Sequence, residues 1–174
     1  MDQIGFIHDK LDIKLLVLYI MARVVSPIDF PTLTDLSLCD AGVDYFTLSE
    51  AVTELVATGH LKLDKNHYAI TEKGIDHSKI TESSLPYSVR LKCDKNLIPV
   101  NTALRRAAQV RSSLTPKADG SFTLTLDLDD NDGNLFSLSL VVGSEERGKL
   151  LCQRFQEAPE QVYSSLLEAL FPTE

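Results

Sequence analysis

Residues 44–57 and 61–70 hold the side chains whose types and spacing could do chemistry. Tyr45, Thr47, Ser49, Glu50 and Thr53 interleave with apolar positions, which puts them on the outward side of one helix. Hydroxyls presented in this way can bond base edges or phosphates, and the Glu50 carboxylate can accept from cytosine. Lys62, Lys65, Asn66 and His67 gather about a polar turn and suit phosphate oxygens or a minor groove. Together these nine residues form the candidate nucleic-acid-binding set, with double-stranded DNA as the expected partner. The helix itself carries no Arg or Lys, so the electrostatic part of binding rests on the turn. The competing description is an ordinary polar helix face beside a solvated turn. Tyr45 and Phe46 form an adjacent aromatic pair whose default role is core filling.

Other chemistries fit less well. Asp127, Asp129, Asp130 and Asp132 invite a calcium loop. A loop begun at Asp127 would put Asp132 where glycine is required and Leu138 where the bidentate glutamate belongs, so a solvated turn is expected. His8, His60, His67 and His77 are separated in sequence, as are Cys39, Cys93 and Cys152, and no zinc spacing emerges. The chain contains no nucleophile elbow, phosphate loop or His-Glu-x-x-His motif. The expectation is a non-enzyme without metal or cofactor.

The elements that must position the candidate set follow from local signals. Asp44 is a suitable N-cap, and Leu48, Val52, Leu55 and Val56 recur on one helical face. Gly59 suits the left-handed position after a helix end. Leu61 and Leu63, then Tyr68 and Ile70, flank Asp64-Lys65-Asn66 as a hairpin, and Thr71 caps the next helix. Helix, hairpin and helix in this order resemble the recognition helix and wing of a winged helix-turn-helix domain. Upstream, residues 9–25 read as a core helix with Leu11, Leu15, Leu18, Ala22 and Val25 in line and Leu16 and Tyr19 widening the stripe, stopped by Ser26-Pro27. A short helix follows Pro31, with Thr32 and Asp35 resembling a capping box, and Gly42 permits the turn onward. Downstream, Leu85-Pro86 breaks a helix, and residues 87–110 form either two helices or one kinked at Pro99.

Beyond residue 112, Phe122, Leu124, Leu126 and Leu128 alternate, as do Phe136, Leu138, Leu140 and Val142, with turns at Asp119-Gly120 and Asp129–Gly133. This predicts a β-meander with a third edge strand ending near Pro116. Its apolar face is to be covered by helices over 144–156 (Leu150, Leu151, Phe155) and 159–171 (Val162, Leu166, Leu167, Leu170). The expected class is α+β. A winged helix-turn-helix domain spans 1–83. A C-terminal domain spans 84–174, with a helical connector over 84–112, a meander over 113–142 and a helix pair over 144–171.

The blocks KLLVLYIM (14–21), DYFTL (44–48), ELVATGHL (54–61), YAITEKG (68–74) and LPYSVR (85–90) occur in order. In that order they resemble a small bacterial winged-helix family catalogued as domain of unknown function 4364. The resemblance weakens through the meander and the final helices. It implies the winged-helix fold and a role in DNA-binding transcription control, with no activity attached.

Composition bounds these readings. The formal net charge over 174 residues is −8, unlike a protein that wraps nucleic acid nonspecifically. The charge is uneven. Residues 1–84 carry 13 acidic against 7 basic side chains, residues 85–117 carry 1 against 7, and residues 118–174 carry 11 against 3. A basic middle segment packed between acidic ones is the plain interpretation. The three well-separated cysteines suit reduced thiols in a cytoplasm, and the start of the chain has no secretory signal character. No apolar run reaches the length of a membrane span. The expected protein is a cytoplasmic regulator that pairs as a homodimer and uses its C-terminal domain for dimerisation or sensing. The alternative is a winged-helix module that binds a protein partner and not DNA.

Overall fold

Each early helix begins at a side chain that accepts from its own first turn. A computed structural model describes residues 5–171. Helix α1 (Lys10–Met21) is capped by Asp9, which accepts from the Asp12 amide. A two-residue strand β1 (Ile28–Asp29) leads into α2 (Phe30–Ser37), and the α2 cap is Asp29, accepting from Thr32 N at 3.0 Å. The expected capping box at Thr32 is therefore displaced by one turn, because Pro31 fits the first turn and leaves Asp29 as the last extended residue. Helix α3 (Tyr45–Ala57) starts on Asp44, which accepts from the amides of Phe46 and Thr47 at 3.1 and 3.0 Å.

Helix α3 closes as the sequence indicates. Gly59 stands at φ +73°, His60 N donates to Leu55 O, and Gly59 N donates to Val56 O. This paired closure satisfies carbonyls that the last turn leaves free. The chain then forms β2 (Leu61–Asp64) and β3 (His67–Ile70), joined by Lys65 and Asn66 at φ 45° and 64°. Two consecutive left-handed residues give the turn whose twist matches the strands it joins. Strand β3 lies between β1 and β2, all antiparallel, with Ile28 opposite Tyr68 and Leu61 opposite Ile70. Helix α4 (Glu72–Thr81) is capped by Thr71 and passes through a 3-10 turn, Glu82–Ser84, into α5 (Tyr87–Gln109). Pro99 lies inside α5 without ending it.

The chain divides into two compact units, Met1–Leu104 and Arg105–Glu174. The division falls within α5 and not at residue 84, because Val89, Cys93 and Leu97 are buried in the core of the first unit. That core gathers Leu16, Val17, Ile20, Leu33, Leu48, Val52 and Leu61 around α1. The expected apolar face of α1 is corrected at its ends, where Leu11 is 62% and Val25 40% exposed; Leu16, Leu18 and Tyr19 are buried as expected, and Ile13, Val17 and Ile20 turn inward with them. The helix also stops at Met21. Asn101 of α5 then holds the following turn, accepting from Val25 N and donating to Arg23 O. Nearby, Arg23 stacks on the Tyr19 ring and pairs with Glu82 at 2.9 Å, while the Tyr19 hydroxyl donates to Asp94 at 2.8 Å.

The second unit is a three-stranded antiparallel sheet in the order β4 (Val110–Pro116), β5 (Phe122–Asp129), β6 (Asn134–Val142), followed by α6 (Glu145–Glu157) and α7 (Pro159–Leu170). The first turn is longer than a two-residue Asp-Gly link. Lys117 N donates to Ser121 O across Ala118, Asp119 and Gly120, with Gly120 at φ +81°. Leu124, Leu126, Leu128 and Val142 meet Phe155 of α6, and Phe136 lies edge-on to Phe155 and stacked with Tyr163 of α7. Leu140, Leu150, Leu167 and Leu170, expected inside, are 43%, 49%, 38% and 72% exposed. Asp129 pairs with Arg111, and Asp130 accepts from the Asp132 and Gly133 amides, so the acidic turn closes on itself. The sequence folds into a mixed α and β protein with two small antiparallel sheets. Among the described residues, no helix is long and apolar enough to cross a membrane.

Candidate nucleic-acid interface

Helix α3 and the β2–β3 hairpin place the nine candidate residues on neighbouring surfaces of the first unit. Tyr45, Glu50 and Thr53 are exposed, and Thr47 and Ser49 are half-buried. On the hairpin, Lys62, Lys65, Asn66 and His67 are all exposed. Strand alternation sends Lys62 and Asp64 to one face, with Asp64 opposite His67, and Leu61 and Leu63 to the other. The carboxylate of Asp64 therefore shares the face of the Lys62 cation. His67 Nδ1 lies 3.0 Å from Lys65 O, a local contact that orients its ring.

Much of the polar equipment of α3 is already engaged. Glu50 Oε2 lies 3.3 Å from Lys10 Nζ, and Glu54 pairs with both Lys10 and Lys14 of α1. Hydrogen bonds from Lys10 and then Lys14 hold the Glu54 carboxyl down to about 2 from 4.5. The same contacts, with Glu54 first and Glu50 next, raise the Lys10 ammonium. The Thr53 hydroxyl donates to Ser49 O at 2.8 Å, leaving only its lone pairs for an outside donor. Asp44 is held low by hydrogen bonds from Thr47, first from its side chain and then its amide. Glu50 thus serves α1 before it can serve a ligand. Lys10 and Lys14 stand four residues apart, as do Glu50 and Glu54, and that matched spacing was the available signal for the pairing.

The aromatic pair at the start of α3 is not core. Tyr45 is 53% and Phe46 79% exposed. Their rings meet edge-on at 5.8 Å, Tyr45 meets Phe30 of α2 edge-on at 5.7 Å, and Phe30 lies 6.2 Å from Tyr68 of β3. A line of four aromatic rings thus runs from the hairpin to the N-terminal end of α3. Its physical cause is the Asp44 cap, which fixes residues 45 and 46 on the first turn, outside the arc that faces α1.

Two further groupings correct the expectation of scattered ligand types. His60 Nε2 lies 2.7 Å from His77 Nδ1, and His60 Nδ1 lies 2.8 Å from the Thr58 hydroxyl. Burial first, then the charges of Lys73, His77 and Lys14, lower the His60 imidazole below its usual range. Cys39 and Cys93 also meet, with their sulfurs 3.2 Å apart. Both groupings join residues far apart in sequence through the packing of α4 or α5, and no local spacing signals them. Among the described residues, no three or more His, Cys, Asp or Glu converge as a metal site.

The comparisons give one match. A family model described as domain of unknown function (DUF4364) covers residues 13–170. No curated protein and no solved structure matches the chain. The family match runs from the first turn of α1 to the last residue of α7 and takes in both units, so this chain belongs to the DUF4364 family.

Proposed function

We propose that the first unit is a winged helix-turn-helix and that the protein is a DNA-binding transcription regulator working as a homodimer in the cytoplasm. One observation carries this reading: the element order α1-β1-α2-α3-β2-β3 combined with the sheet order β1-β3-β2, which sets a short hairpin beside a helix with an exposed outer side. In this arrangement α3 lies in the major groove. Its N-terminal residues Tyr45, Thr47 and Ser49 face the bases, with Thr53 further along. Lys62, Lys65, Asn66 and His67 meet the flanking backbone. Glu50 acts mainly as the anchor for Lys10. One head with so few cations binds weakly, so two heads on a two-fold site are required. Tyr87, Leu91 and Ile98, exposed by 72%, 56% and 66%, stand in line along α5 and give a second copy an apolar face to pack on. The second unit serves dimerisation or sensing. A groove of about 560 Å³ between α6 and α7, lined in part by Arg154, Gln161 and Val162, supports the sensing role.

The test is selection from a random duplex pool at low salt, with sedimentation to read the mass of the species that binds. The expected result is an enriched two-fold motif bound by a dimer. Failure to enrich any sequence counts against the proposal.

A protein-interaction module is the second reading, and the exposed aromatic pair favours it. Phe46 at 79% exposure suits an apolar partner better than a phosphate backbone. Under that reading one stoichiometric protein partner is retained by the wild type and lost by Phe46→Ala, while duplex binding is absent from both.

A further inference from the structure

The sulfurs of Cys39 and Cys93 meet across 54 residues of sequence. Cys39 lies just past the end of α2, in the turn that leads toward α3, and is partly exposed. Cys93 is fully buried on α5. The 3.2 Å between their sulfurs is about 1 Å more than a disulfide bond requires, within reach of a side-chain rotation at the turn. The two thiols also differ in character. The hydrogen bond from Cys93 lowers the Cys39 thiol, and that same bond, with burial, raises Cys93. The thiol that solvent reaches is therefore the one that ionises more readily, and the buried partner holds its proton more tightly.

We propose that Cys39 is a peroxide-oxidation site and that Cys93 resolves it into an intramolecular disulfide. The Cys39 thiolate attacks one oxygen of hydrogen peroxide; the S–O bond forms as the O–O bond breaks, and the departing hydroxide takes up the proton that Cys39 released. Cys93 Sγ then attacks the sulfenic sulfur; the S–S bond forms, the S–O bond breaks, and the leaving hydroxide carries off the Cys93 proton as water. Two thiols give up two electrons, and one peroxide becomes two waters. The product ties the turn between α2 and α3 to α5. It does so whether the exposed side of α3 meets DNA or a protein.

Cys152 belongs to the second unit and serves as the internal control. The full-length protein is treated with hydrogen peroxide, alkylated without reduction, digested and mapped by mass spectrometry. Before alkylation the expected product is a single-chain species about 2 Da lighter, and after digestion the peptides that carry Cys39 and Cys93 are cross-linked. Dithiothreitol reverses it, Cys152→Ser retains it and Cys39→Ala abolishes it. Oxidised protein also melts at least about 5 °C higher than reduced protein, because the cross-link restricts the unfolded chain. Cys39 recovered as sulfinic acid beside an alkylated Cys93 overturns the proposal. So does a disulfide from Cys39 to Cys152 or to another chain. Wild-type mapping decides these outcomes even if a substitution at the buried Cys93 fails to fold.

Discussion

Gly59 and Gly74 are glycines for different physical reasons. Gly59 adopts φ +73° with open space around the position of a side chain, so an alanine there meets only conformational cost. Gly59→Ala should destabilise by about 1 kcal/mol, read by denaturant titration. Gly74 lies in the first turn of α4, where an added Cβ would run into the carbonyl of His60. Gly74→Ala should therefore cost more than Gly59→Ala, roughly 2 kcal/mol or above, because backbone and not a pliable side chain must move. Lys62 and Lys65 are the residues on which the DNA reading stakes its electrostatics. Changing both to alanine should weaken binding evenly across duplex sequences and flatten the salt dependence by about 2 in log–log slope, one unit per lost phosphate contact. Weakening confined to one sequence would show that these lysines read bases instead.

At the scale of elements, α1 and α3 illustrate how far periodicity goes. Helix α3 has one apolar stripe, and Leu48, Val52 and Leu55 of the four residues the spacing selects are buried, with Ala51 added and Val56 half-buried at the edge. Helix α1 is apolar almost all round from Leu15 to Met21, so several stripes fit equally well, and the packing of α2, α3 and α4 around it chooses the face. The α1–α3 contact is reinforced at its edge by Lys10 and Lys14 against Glu54. The Glu54 carboxyl is depressed from 4.5 to about 2, so the folded state binds its proton less readily than the unfolded chain. The stability from these pairs is fully present above about pH 4.5 and is lost as the pH falls through about 2. Wild type should exceed Glu54→Gln in melting temperature at pH 5, and the gap should close as the pH approaches 2. A gap that persists at pH 2 would assign the effect to packing and not to charge.

For the whole molecule, the useful question is where one folding unit stops. Leu85, Val89, Cys93 and Leu97 are buried with α1, although all four lie beyond residue 83. Each buried side chain of this kind contributes about 1.5–3 kcal/mol, so removing all four costs roughly 6 kcal/mol or more, as much as a small domain possesses. A fragment of residues 1–109 should unfold cooperatively, whereas one of residues 1–83 should not; circular dichroism during thermal melting distinguishes them. Cooperative melting of the shorter piece would mean that α5 decorates the core without completing it. The amino-acid sequence by itself determined the short-range features: the Asp44 and Thr71 caps, the Gly59 stop, the β2–β3 hairpin, the meander and the closing helix pair. These follow from the chemistry of adjacent residues, which acts over a turn or two. Tertiary structure alone decided that Tyr45 and Phe46 stay exposed, that α5 enters the first core, and that His60 meets His77 and Cys39 meets Cys93. Each of these depends on which helix faces which, and such choices are made by the packing of surfaces 17 to 78 residues apart in the chain.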